Sequence, residues 1–182
     1  TSALPPHVST TNPSETDKAQ RLIHFRASVH SPVAIDLFDS QGNHTGLATS
    51  SATTSPGDFS QIEEQVPQSS YQAYGEDKYI SFASNDFWDY GQRYTLVLAG
   101  TGYGLFTFEF EEIQNDRTIR RKTFVDVPVN PKMKITLSFA TFDEITELPI
   151  DVDGNGSVDE SDRPEIAGDR EKCDRSPAEM EV

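Results

Sequence analysis

Apolar and polar residues alternate one by one through most of this chain, and no stretch of useful length carries an apolar stripe at helical spacing. Ile23, Phe25, Ala27 and Val29 alternate with His24, Arg26 and Ser28, and after Ser31-Pro32 a second such face follows in Val33, Ile35 and Leu37. The period returns in Lys78–Ala83, in Tyr94, Leu96 and Leu98, and in residues 117–127. It is clearest where Phe106, Phe108 and Phe110 oppose Thr107, Glu109 and Glu111, and again in Met133, Ile135, Leu137 and Phe139. A strand sends successive side chains to opposite faces, so this spacing demands strands with one buried face and one wet face. Turn-forming residues separate the runs, at Ser31-Pro32, Gln41-Gly42-Asn43 and Gly100-Thr-Gly-Tyr-Gly104.

About seven or eight short strands without helices predict an all-β fold, an antiparallel Ig-like β-sandwich with an extended N-terminal arm and an acidic C-terminal segment. The Cys–Trp–Cys hallmark of antibody domains is absent, so the likeness is one of architecture. Residues 1–19, rich in Ser, Thr and Pro, read as an extended arm or linker. Residues 20–140 form the sandwich, 141–164 a strand plus an acidic loop, and 165–182 an acidic tail. Within the sandwich, residues 47–76 are expected to be a long loop with edge structure around Phe59–Val66. The chain starts at Thr1, which suggests a mature, processed or excised piece of something longer.

Charge narrows the classes of function. The net charge is −15, and residues 141–182 hold 14 of the 30 acids but only four of the 15 bases. Such a surface repels a nucleic-acid backbone. Arg117, Arg120, Arg121 and Lys122 cluster, but on one strand or hairpin they read as a solvated face. No apolar run approaches the roughly 20 residues that cross a bilayer, so no membrane span is expected. Cys173 is the only cysteine, which rules out an internal disulfide.

Asp151-Val-Asp-Gly-Asn-Gly-Ser-Val-Asp-Glu-Ser-Asp162 carries the most specific chemistry. Asp151, Asp153, Asn155, Asp159 and Asp162 fall at positions 1, 3, 5, 9 and 12 of a calcium-type loop; Gly156 is at the bend and Ser157 offers a main-chain carbonyl. The spacing fits one Ca²⁺, whose charge offsets the repulsion among the aspartates. Arg163-Pro164 follows where a helical loop would continue its exit helix, and proline a few residues into a helix costs about 3 kcal/mol. The loop is therefore expected to leave a strand, Leu148–Asp151, and to continue extended. Asp162 is then the ligand most dependent on the backbone path.

Other constellations are weaker. The glycines at 100, 102 and 104 precede a Phe-rich strand rather than the helix a phosphate loop needs. His7, His24, His30 and His44 show no zinc spacing, and no nucleophile elbow is present, so an enzyme is not expected. Phe87, Trp88 and Tyr90 precede a strand, where they cap the core or stack on a sugar ring.

The runs Ser31–Gly42, Tyr94–Phe108 and Leu148–Gly156 together resemble the accessory β-sandwich modules of secreted and cell-surface prokaryotic proteins. That resemblance implies a non-catalytic extracellular module with a structural calcium loop near its C-terminal end. The loop is also similar to half of a dockerin, without the second repeat. Two alternatives stand beside this reading. One is a subunit of a surface filament or array whose N-terminal arm pairs with copies of itself or with other protein domains. The other is a carbohydrate-binding module that takes a glycan at Trp88.

Overall fold

A computed structural model of the chain describes residues 23–30, 32–48, 61–83 and 93–165. The fold is all-β: among the described residues twelve strands make two antiparallel sheets that pack face to face as a β-sandwich. Strands β1 (Ile23–His30), β5 (Ser70–Tyr74), β6 (Asp77–Ala83), β8 (Gly104–Gln114) and β9 (Arg117–Val129) form a five-stranded sheet in the order β5-β6-β1-β8-β9. The seven-stranded sheet comprises β2 (Val33–Asp39), β3 (His44–Leu47), β4 (Ile62–Glu64), β7 (Tyr94–Gly100), β10 (Lys134–Phe139), β11 (Leu148–Asp151) and β12 (Glu160–Asp162). Its order is β12-β11-β10-β7-β2-β3-β4. Among the described residues the one helical element is a single 3₁₀ turn, Phe142–Glu144, between β10 and β11.

The strand count exceeds the seven or eight expected because short, polar strands lack an alternating face. β4 and β5 lie in the stretch read as loop with edge structure, and both are edge or near-edge strands, largely exposed. The strong alternators form the core. Phe25, Phe82 and Phe110 from one sheet meet Phe139 from the other, and the Phe110 and Phe139 rings cross at 75° with centroids 5.1 Å apart. Each ring so buried contributes roughly 1.5–3 kcal/mol by leaving water. Tyr94 is buried among these rings, and its hydroxyl donates to the Ala83 carbonyl at 3.1 Å, which removes the cost of burying it dry.

Segment 141–164 is part of the sandwich rather than an appendage. β11 pairs with β10 through Lys134–Asp151 and Ile135–Ile150, and β12 pairs with β11, so the acidic loop is the tip of a hairpin at one end of the larger sheet. Beyond β12 the chain stays extended, and the Glu165 amide donates to the Thr123 carbonyl at 2.8 Å on the edge of β9. The chain thus steps from the edge of one sheet to the edge of the other.

Candidate metal centre

Asp151 closes β11 and is 8% exposed, with its carboxylate turned back over the loop it starts. Oδ1 accepts from the amides of Gly154 at 2.7 Å and Asn155 at 3.1 Å, and Oδ2 from that of Gly156 at 2.8 Å. Folding three amides onto one carboxylate needs backbone that L-residues seldom adopt, and Gly154 (φ +74°) and Gly156 (φ +90°) supply it. Burial pushes the Asp151 carboxyl up, but the amides of Gly156, Gly154 and Asn155 outweigh it and hold the group below its ordinary value. Asp151 is therefore ionised at neutral pH.

The rest of the loop is tied by the same chemistry. Asp153 Oδ1 accepts from the Asn155 amide at 3.1 Å, and Asn155 Oδ1 accepts from the Ser157 amide at 2.8 Å. Asp159 reaches back so that its Oδ2 accepts from the Val152 amide at 2.9 Å, while its own amide donates to the Ile150 carbonyl at 2.9 Å. One carboxylate oxygen from each of Asp151, Asp153 and Asp159 lies within 4.8 Å of the others. Two oxygens bound to one Ca²⁺ at roughly 2.3–2.6 Å lie no farther apart than about 5 Å, so the spacing of the triad is compatible with one ion.

The loop is also braced from outside. Asn130, in the turn between β9 and β10, donates from Nδ2 to the Val152 carbonyl at 3.0 Å and accepts the Lys132 amide at Oδ1 at 2.8 Å. Gly154 packs so closely on that turn that a Cβ would come 2.7 Å from the Lys132 carbonyl oxygen. On its far side the turn rests against Gly100, where a side chain would collide with the Asn130 carbonyl.

The structure thus gathers Asp151, Asp153 and Asp159, with Asn155 and Ser157 between them in the same loop. It does not bring Asp162 to them. Asp162 pairs with Leu148 at the far end of the hairpin, roughly 10 Å from Asp151 at the rise of a strand. The spacing rule that placed it at position 12 presumes an exit helix, and here the exit is β12. Phe87, Trp88 and Tyr90, the arm 1–19, Cys173 and the tail beyond Glu165 lie outside the described residues.

Two charged clusters escaped the sequence. Glu111 and Glu112 are buried on β8, at 1% and 4% exposure. Glu111 accepts from Arg26 Nε at 2.6 Å, Arg121 Nε at 2.9 Å and Thr118 Oγ1 at 3.1 Å. Arg120 pairs with Glu112 and, at 2.8 Å, with Asp143. The face is solvated as expected, with Arg117, Arg120 and Arg121 exposed, but Arg120 and Arg121 also partner the buried glutamates and Lys122 the 3₁₀ turn. Burial raises the Glu111 carboxyl, but Arg121 and Arg26 outweigh it and hold the group below its ordinary value. Lys122 donates to the carbonyls of Phe142 at 2.8 Å and Ile145 at 2.5 Å, fixing the 3₁₀ turn. The second cluster is His44 with Asp36 and Glu63, whose carboxylates flank the two ring nitrogens. A signal for the first was present: the Asn115-Asp116 turn sets the β8–β9 register that places Glu111 opposite Arg121.

Compared with protein-family models, curated proteins and solved structures, the chain has no match. Among the described residues no helix is long and apolar enough to cross a membrane.

Proposed function

We propose that this chain is a non-catalytic, extracellular β-sandwich module with one structural calcium site in its C-terminal hairpin. The observation that carries the reading is the convergence of the Asp151, Asp153 and Asp159 carboxylates within 4.8 Å on a glycine-bent loop. Asp151, Asp153 and Asp159 supply side-chain oxygens, the Asn155 amide oxygen a fourth, and the Ser157 carbonyl a main-chain ligand; water completes the six to eight oxygens that calcium takes. Asp162 is left out of this set.

Calcium acts here as a clamp. The hairpin that carries the loop lies at the edge of the larger sheet, and three carboxylates at its tip repel one another without a cation. A bound ion turns that repulsion into attraction and stiffens the passage from β11 to β12. Loops of this type on extracellular modules work at roughly 10⁻⁴–10⁻³ M calcium, a level kept outside cells. That is the ground for placing the module in a secreted or cell-surface protein, where it serves as an accessory or interaction domain.

The test is calorimetric titration of EDTA-stripped protein with CaCl₂, followed by thermal unfolding with and without calcium. One-site binding with a raised melting temperature is expected; absence of both defeats the reading. Calcium at a hundredfold excess over Kd adds about 2.7 kcal/mol to stability.

A further inference from the structure

We propose that His44 is a proton-operated latch on the β2–β3–β4 end of the seven-stranded sheet, closed when the imidazole carries both ring protons and released when it loses one. His44 belongs to β3, and its two ring nitrogens reach carboxylates on the strands to either side. Nδ1 lies 2.8 Å from Glu63 Oε2 on β4, and Nε2 lies 3.0 Å from Asp36 Oδ1 on β2. A neutral imidazole has one N–H and one lone pair, so it can donate to one carboxylate only while its lone pair faces the other. The imidazolium alone satisfies both contacts.

The surroundings are built for the charged form. The Phe38 ring stacks on the imidazole at 4.9 Å between centroids and 27° between planes, an arrangement that favours a cation. Gly46 leaves the room: a Cβ there would collide with the Asp36 carboxylate and come 2.9 Å from Nε2. Among the described residues, the titratable groups that face the latch are Asp36 from β2 and Glu63 from β4; Tyr71 from β5 lies near enough to Asp36 that burial and then the Asp36 charge push its hydroxyl up. The neighbouring Glu64 is engaged elsewhere, accepting the Tyr71 amide at 2.7 Å. β7 adds no charge, since Val97 and Thr95 lie opposite Asp36 and Phe38. Burial pushes the imidazole down, but the hydrogen bonds to Glu63 and Asp36 outweigh it and hold His44 above its ordinary 6.5.

The latch adds a side-chain tie to the ladder that β4 makes with β3 through Thr45–Glu64, Gly46–Glu63 and Leu47–Ile62. That strand is three residues long and lies at the edge, and its flanks add the Ala48 amide to the Gln61 carbonyl and the Gln65 amide to the His44 carbonyl, both at 2.8 Å. A pocket of about 320 Å³ lined by Asp36, Phe38, His44, Leu47, Ala48 and Glu63 brings solvent beside the latch. Because the folded value is raised, the stabilisation is complete below 6.5 and is lost as pH rises through the folded value.

The experiment is an NMR titration of the His44 ring in the full chain, with hydrogen exchange of the Ala48 and Gln65 amides from about pH 5.5 to about pH 8.5, through the histidine range. The expected midpoint lies above 6.5. Protection of the two amides, corrected for intrinsic exchange, is expected to fall by up to about tenfold per pH unit across the window. Glu63→Gln keeps an acceptor without its charge, and should move the midpoint back toward the ordinary value. His44→Gln should make protection independent of pH. A wild-type midpoint at or below 6.5, or protection that is flat with pH, overturns the proposal. So does an unchanged pH dependence in His44→Gln.

Discussion

Asp39 and Asp151 each end a strand of the same sheet, each is buried, and each gathers the amides of the turn that follows. Asp39 accepts the amides of Gln41 and Asn43 at 2.9 Å on Oδ1 and the Asn43 side chain at 2.7 Å on Oδ2. Asp151 accepts three amides in the same manner. The difference lies in what surrounds them. The turn after Asp39 contains Ser40, Gln41, Gly42 and Asn43, so it adds no acid, and the neutral amide of Asn43 closes the free oxygen. The turn after Asp151 adds Asp153 and Asp159 beside it. An aspartate that collects amides is therefore ordinary turn chemistry. Uncompensated carboxylates around it are what the proposed calcium site rests on.

The contrast can be broken most sharply by removing the extra charge alone. Asp153→Asn with Asp159→Asn keeps the size and much of the hydrogen bonding of the loop; the calcium-dependent stabilisation, about 2.7 kcal/mol at a hundredfold excess over Kd, should vanish in thermal unfolding. Asp39→Ala removes the acceptor of its turn and leaves two amides without a partner. It should cost about 2 kcal/mol in denaturant unfolding, by the same amount with calcium or with EDTA. Gly154→Ala forces a side chain into a left-handed position and against the Lys132 carbonyl, at roughly 1–2 kcal/mol, and should weaken calcium binding as well in a titration. Asp162→Asn should do least: calcium affinity unchanged and stability within about 0.5 kcal/mol.

Those four variants also mark how far the sequence could be read. The triad is local, three carboxylates in nine residues, so spacing and two glycines suffice to reveal it. Asp162 is placed by strand register, Leu148 against Asp162, and no local rule reports that. The same division runs through the fold. β1, β2, β8 and β10 bury one face, so their alternation is visible in Phe25, Ile35, Phe108 and Ile135. β4 is held by its neighbours and by His44 rather than by its own apolar residues, and Ile62 there is half exposed. Glu111 and Glu112 look like wet-face acids until the hairpin lays Arg120 and Arg121 across them.

That hairpin has a consequence for how fast the molecule assembles. β8 and β9 run from Gly104 to Val129 around a turn whose Asn115 and Asp116 both take positive φ, at 51° and 58°, which matches the natural twist of two antiparallel strands. Its contacts close over a short stretch of chain, whereas Arg26 must find Glu111 across 85 residues. Closing long loops before any contact rewards them is what slows all-β chains. The β8–β9 ribbon is thus expected to form early, and φ-values at Phe108 and Phe124 higher than those at Ile35 and Ile135 would check it.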